Sequence, residues 1–352
     1  MTPRERFLTA IRGGMPDRIP LVLWNNKLPG GDVDERIFEM DVCLVMKSCV
    51  WRQSFDAIRV EVREEPAPGG DTRRHTVFHT PAGPLTTVER LMPHTVWIEK
   101  YPFSGPKDYD ALEALIAGRR YEPDFERFLQ DDAVMGDQSI ARPTSIHSPM
   151  HEFIYEFMGI EAFSIEYAER RERLLHLEGI LKADWQRRVE LTAASPARYA
   201  VIDGNTEISM IGPERFEWHY HPCIEEACAI LHEKDIIAGA HLDGNNRRLA
   251  PLIARTSLDF IESFTPAPET DMSIAEAREA WPDKAMQMHF PSSIHHKGKA
   301  GIEAWGIRYL EQASPGKGFV VGQSEDLPNR GRETLVPMFR LFHEHGDLPL
   351  RD

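Results

Sequence analysis

Eight short apolar or β-branched runs recur along the chain, each followed by a Gly, Asn, Asp or Pro turn and then a longer stretch with helical spacing. They are RIPLVLW (18–24), FDAIRVEV (55–62), DAVMGDQ (132–138), RYAVIDG (198–204), DIIAGAHL (235–242), LDFIESF (258–264), KAMQMHF (284–290) and GFVVGQS (318–324). Between them, segments such as 213–234, 246–257, 273–282 and 299–314 repeat apolar residues every three or four positions. A strand that is apolar along nearly its whole length has to be buried on both faces, and eight such strands alternating with helices achieve this by closing into a parallel barrel. The expected fold is α/β, a (β/α)8 TIM barrel.

The 352 residues suit either two ordinary domains or one large barrel. No low-complexity tract or flexible linker divides them, which favours a single domain over 1–352. Two regions break the rhythm. Residues 75–98 alternate in β fashion around Pro81-Ala82-Gly83 and read as an inserted β-hairpin, and 139–197 reads as a long helical insertion. Both are expected beside the barrel mouth, where βα loops tolerate additions.

Charge narrows the partners. With 41 Lys plus Arg against 56 Asp plus Glu, the net charge is -15, so the cation surplus that a phosphate backbone demands is missing. Nucleic acid is not an expected partner. The mean hydropathy is -0.41, no apolar run reaches the ~18 residues of a membrane span, and the start lacks a signal-peptide core. A soluble, cytoplasmic protein is expected. Cys43, Cys49, Cys223 and Cys228 form no Cys-x-x-Cys pair and fall in helical-looking stretches, where they read as inert thiols.

In a βα barrel, groups leaving the C-terminal strand ends converge on one pocket. Here those ends carry Trp24 and Asn25, Asp137 and Gln138, Asp203 and Asn205, His241 and Asp243, Glu262, His289, and Gln323 with Glu325. His241 and Asp243 alternate on one strand and so project to the same side. With Glu262 on the next strand and Glu325 on the last, an imidazole and several carboxylates could meet one divalent cation, zinc, iron or manganese rather than copper. The alternative is a hydrogen-bonded His241–Asp243 pair, with Glu262 paired to a helix arginine. His289 reads as a general acid, a substrate donor or a pocket-lining side chain. His219 and His221 read as packed or surface residues, and His295 and His296 as solvated. No phosphate loop or Gly-x-Ser-x-Gly elbow is present.

Several segments, in this order, resemble the uroporphyrinogen decarboxylase superfamily over nearly the whole chain. They are Thr2-Pro3-Arg4-Glu5-Arg6, Pro16-Asp17-Arg18-Ile19-Pro20, Thr80-Pro81-Ala82-Gly83, His241-Leu242-Asp243-Gly244-Asn245, Glu262-Ser263-Phe264-Thr265-Pro266 and Gly322-Gln323-Ser324-Glu325-Asp326-Leu327-Pro328. The resemblance implies a (β/α)8 barrel. The family's porphyrinogen decarboxylases carry a Met-Arg-Gln-Ala-Gly-Arg run on strand 1, where this chain has Leu21-Val22-Leu23-Trp24-Asn25-Asn26-Lys27. Its cobalamin-dependent methyltransferases hold zinc with a His-x-Cys-Gly motif and a later Cys. Against that motif His241 keeps the histidine, Asp243 stands at the first cysteine and Glu325 roughly at the second.

The resemblance thus implies a metal-dependent methyltransferase, the O-demethylase component of a corrinoid system. Its divalent metal, zinc by analogy, would be held by His241, Asp243, Glu262 and Glu325, with His289 also catalytic. Trp24, Asn25, Asp203, Asn205 and Gln323 would contact a small methoxylated substrate, aromatic or not. Replacing thiolates by carboxylates leaves the ion a harder Lewis acid that prefers an oxygen leaving group. The chain shows no cobalamin motif, so the corrinoid would come from a partner protein. A metal-independent decarboxylase or lyase and a non-catalytic ligand-binding barrel are the alternatives.

Overall fold

The computed structural model describes residues 1–93, 95–323, 325, 327 and 331–350. The chain divides into two compact units where the sequence suggested one domain: Met1–Val50, Asp124–Ser145 and Thr192 onward form the first, Trp51–Pro123 and Ile146–Leu191 the second. The inserted segments carry enough apolar residues to bury a core of their own.

The first unit is the expected α/β barrel. Its strands are β1 (Leu21–Trp24), β2 (Val42–Ser48), β3 (Ser139–Pro143), β4 (Tyr199–Ile202), β5 (Ile237–His241), β6 (Phe260–Phe264), β7 (Ala285–His289) and β8 (Phe319–Gln323). They form one eight-stranded sheet in the order β4-β5-β6-β7-β8-β1-β2-β3. Every pairing in it is parallel, and the sheet curls into a nearly closed barrel. Helices lie between the strands, as the apolar periodicity requires.

Two strands differ from the sequence reading. Residues 55–62 are not a barrel strand, because Phe55 ends a strand of the second unit and Arg59–Pro66 begins that unit's own sheet. The barrel's second strand is Val42–Ser48, including Cys43, whose stretch read as helical-looking in the sequence. Likewise 132–138 is a helix end and a single 3-10 turn, and the third strand is Ser139–Pro143, the first residues of the expected helical insertion. Arg142 and Pro143 disguise it, since Pro is disfavoured inside sheets. The thiols of Cys43 and Cys228 are buried, and burial pushes each up to about 12.

Alternation along the barrel strands sets two inward layers. The lower ones hold Val22, Cys43, Val45, Ile140, Tyr199, Val201, Ile237, Phe260, Ala285 and Val320. Their N-terminal end is closed by helix Pro3–Ile11, capped by Thr2 and Glu5 in a capping box. Its Phe7, Ala10 and Ile11 share one face and pack into the same cluster. Phe7 meets Tyr199 edge-on at 5.3 Å, and Phe260 follows at 6.1 Å. Phe260 fills the barrel axis only because Gly239 faces it: a Cβ at Gly239 would lie 2.3 Å from the ring.

The second unit pairs Trp51–Phe55 antiparallel with Arg119–Pro123 and builds a four-stranded antiparallel sheet from Arg59–Pro66, Thr72–Thr80, Gly83–Leu91 and Val96–Lys100. The expected hairpin around Pro81-Ala82 is the centre of this larger sheet. Glu152, fully buried, accepts from Arg119 at 2.9 Å and from Arg188. No described helix is long and apolar enough to cross a membrane.

Behind β8, His295 is 1% exposed rather than solvated, on the short helix Ser292–His295, and bonds Thr334 Oγ1 through Nδ1 at 2.8 Å. Burial lowers its pKa from 6.5 to about 4. The folded chain therefore keeps it neutral while the unfolded chain can protonate it. Its contribution is full above the ordinary imidazole value and is lost as pH falls through about 4.

Two outcomes follow for stability. Gly239→Ala forces the Phe260 ring out of place and lowers unfolding free energy by about 1–3 kcal/mol in denaturant titration. Wild-type protein loses roughly 2–3 kcal/mol between pH 7 and pH 4 that a His295→Gln variant does not lose, measured by the same titration across pH.

Candidate active site

Carrying the inward alternation one step beyond the apolar layers reaches the C-terminal mouth of the barrel. The residues there, one from each strand or its first following position, are Trp24, Lys47, Arg142, Asp203, His241, Glu262, His289 and Gly322. Strand register decides which are neighbours. His241 and Glu262 are Cα partners across β5 and β6, and Lys47 and Arg142 are partners across β2 and β3.

His241 lies between two carboxylates. Its Nδ1–H donates to Glu262 Oε2 in a short contact, and its Nε2 is 3.4 Å from Asp243 Oδ2. Glu262 is 1% exposed and its Oε1 has no hydrogen-bond partner. Burial works against the charged form of each group, but the pair outweighs it. Glu262 and then Asp243 lift His241 to about 9, while His241 and then Arg142 hold Glu262 well below the usual carboxylate range. Glu262 therefore pairs with the imidazole and not with a helix arginine.

This geometry divides the four expected ligands. Glu262 and Asp243 address opposite ring nitrogens, so one cation cannot take both carboxylates together with the imidazole. Among the described residues no group of three or more His, Cys, Asp or Glu side chains is arranged to hold a metal ion. A narrower donor set does fit. Metal–ligand bonds of about 2.0–2.2 Å at tetrahedral angles separate two ligand atoms by about 3.4 Å, which is the His241 Nε2 to Asp243 Oδ2 distance. Glu262 then stands where an outer carboxylate fixes the ring through its other nitrogen. Glu325 acts on this edge electrostatically, its carboxyl raised by burial and then by Asp243.

Of the three readings open for His289, its surroundings match the pocket-lining one. It is fully buried, Gln287 Nε2 donates to its Nε2 at 2.7 Å, and its Nδ1–H donates to Ser263 Oγ at 2.6 Å. Burial brings its pKa down to about 3, so it stays neutral. It buttresses the mouth and meets Trp24 edge-on at 5.9 Å. Ser263 reaches it from a left-handed backbone, φ 61°, at an irregularity in the pairing of β6 with β7. Such strain in a non-glycine residue persists only where packing enforces it.

The expected substrate contacts divide. Trp24 is buried at the centre of the mouth, 5.8 Å from the His241 ring, with its Nε1–H lacking an acceptor. Asp203 is buried just past β4 on a left-handed backbone, φ 54°. Asn25 is half-buried in a 3-10 turn after β1, and Asn205 is exposed. Gln323 has the wrong parity: Val320 and Gly322 point inward, so Gln323 packs toward the helices beside His295 and donates to the Glu325 backbone carbonyl at 3.4 Å. Ser324, Asp326 and Pro328 of the closing motif lie outside the described residues.

Two residues were not anticipated. Lys47 Nζ stands 3.4 Å over the Trp24 ring, and the Arg142 guanidinium lies 5.4 Å from it. Lys47 is exposed along its stem, yet burial of its ammonium, followed by Arg142, draws it down to about 7. Both sit on the two misplaced strands. Period-two counting from Cys43 and Val45, or from Ile140, would have found them.

No protein-family profile and no curated protein matches this chain. Among solved structures it is similar to a methyltransferase from Methanosarcina mazei, with a TM-score of 0.63 and 11% identity, over 98% of this chain and 99% of that one. At that identity the likeness establishes the fold alone and leaves function to the site.

Proposed function

We propose that the chain is a methyltransferase that takes the methyl group of a small methoxylated substrate and passes it to a corrinoid carried by a separate protein. The observation that carries this reading is the His241–Asp243 edge at the barrel mouth, backed by Glu262. The likeness to a methyltransferase over the full length of both chains supports the class of chemistry.

The chain's own residues have defined tasks. Glu262 holds the Nδ1 proton, so the Nε2 side of His241 is directed at Asp243 and the substrate oxygen. Neutral His289, locked by Gln287 and Ser263, keeps Trp24 and Glu262 in place without competing for protons. Trp24 shields the edge from water on the β1 side. His241 Nε2 and Asp243 would hold a divalent ion of the zinc class, which would supply Lewis acidity toward an ether oxygen of the substrate; Glu325 acts electrostatically on the same edge. Nitrogen and oxygen donors without a thiolate suit an oxygen substrate better than a thiol.

A second reading is favoured by one observation. His241 lifted to about 9 between two carboxylates is an imidazolium at neutral pH, and a metal-independent lyase could use it as the acid that protonates a carbanion after decarboxylation. Turnover of a carboxylated substrate with release of carbon dioxide, unaffected by chelators, would select it.

Metal analysis of protein purified without added metal, followed by methyl transfer from a methoxylated panel to cob(I)alamin, tests the proposal. The expected result is stoichiometric metal and methylcobalamin formation, both lost in His241→Ala. Glu262→Gln weakens metal binding or activity by about 10–100-fold. Metal-free protein together with unchanged methyl transfer in His241→Ala would contradict it.

A further inference from the structure

Among the described residues no carboxylate pairs with the buried Arg142. It is 3% exposed, its guanidinium donates to Ser145 Oγ at 3.1 Å, and its Nε has no partner. The other buried arginines among the described residues behave differently: Arg6 pairs with Asp17 at 2.7 Å, and Arg188 pairs with Glu152. Glu262 acts on Arg142 electrostatically, but its carboxylate is already engaged by His241. A guanidinium taken out of water without an anion is costly, and folding places a second cation beside it instead of an acid. That cation is Lys47, its partner across the strands, with the ammonium over Trp24.

The indole Nε1–H of Trp24, also buried, has no acceptor among the described residues. Three donors on β1, β2 and β3 thus meet around one ring, and among the described residues no acceptor answers the Arg142 Nε or the Trp24 N–H. On the same mouth, 5.8 Å from the Trp24 ring centroid, is the ring of His241. We propose that Arg142, Lys47 and the Trp24 N–H bind the carboxylate of the substrate, so that the substrate is a small methoxylated carboxylic acid. The planar fork of Arg142 matches the two oxygens of a carboxylate, and Lys47 adds a mobile point charge. The methoxy half of this inference rests on the methyl-transfer reading, whereas the carboxylate half stands on the unanswered cations alone.

Calorimetric titration of the full-length, chelator-treated protein with 4-methoxybenzoate, 4-methoxybenzamide and inorganic phosphate separates the two. The benzoate is expected to bind about tenfold or more tightly than the neutral amide and than phosphate. Arg142→Gln and Lys47→Gln should each remove most of that preference. If Arg142→Gln fails to fold, Lys47→Gln decides, because its side chain is accessible. Equal binding of benzoate and amide, phosphate binding as tight as the benzoate, or an undiminished preference in Lys47→Gln would overturn the proposal. Benzoate selectivity without methyl transfer to cob(I)alamin would keep the anion site and remove the methyltransferase reading; methyl transfer with no benzoate preference would do the reverse.

Discussion

A carboxylate buried in the throat of a barrel has to find a proton or a cation, and Glu262 finds His241. The arrangement of the mouth follows from that one contact. Parallel pairing of β5 with β6 sets the two residues side by side, and desolvation makes the pairing strong enough to fix the ring. Once Nδ1 is committed to Glu262, Nε2 is the only nitrogen left for chemistry. Asp243, two residues further along the chain, lies on that side.

The rest of the mouth is polarised around this pair. Imidazole and acids come from β5 and β6, cations from β2 and β3, and the Trp24 ring of β1 is close to both. Below them the apolar layers and the Pro3–Ile11 helix close the barrel, so the polar ring rests on a dry, tightly packed base. Left-handed backbones at Asp203, Asn205 and Ser263 occur where strands β4 and β6 give way to the mouth. Strain of that kind collects where side chains must be aimed rather than merely packed.

Much of this was legible in the sequence, and the failures have a common cause. β1 and β4 to β8 are continuous apolar runs between turn residues, so their positions could be read directly. β2 and β3 could not: Val42–Ser48 lies in a stretch that read as helical, and Ser139–Pro143 is short and contains Arg and Pro. Lys47 and Arg142 were missed for that reason, since strand-end logic finds only residues on recognised strands. His241, Asp243 and Glu262 were found together, but spacing could not say that the two acids approach opposite nitrogens of one ring. Gln323 was misjudged through parity, a single-residue shift that turns a side chain from the pocket to the helices.

The central claim is that the Nε2 edge of His241, shared with Asp243 and set by Glu262, is the reactive centre. Zinc-edge X-ray absorption on the zinc-loaded full-length protein tests it most directly. The account predicts a nitrogen and oxygen shell at about 2.0–2.2 Å with imidazole scattering that disappears in His241→Ala. A sulfur shell near about 2.3 Å, or imidazole scattering that survives in that variant, would contradict it.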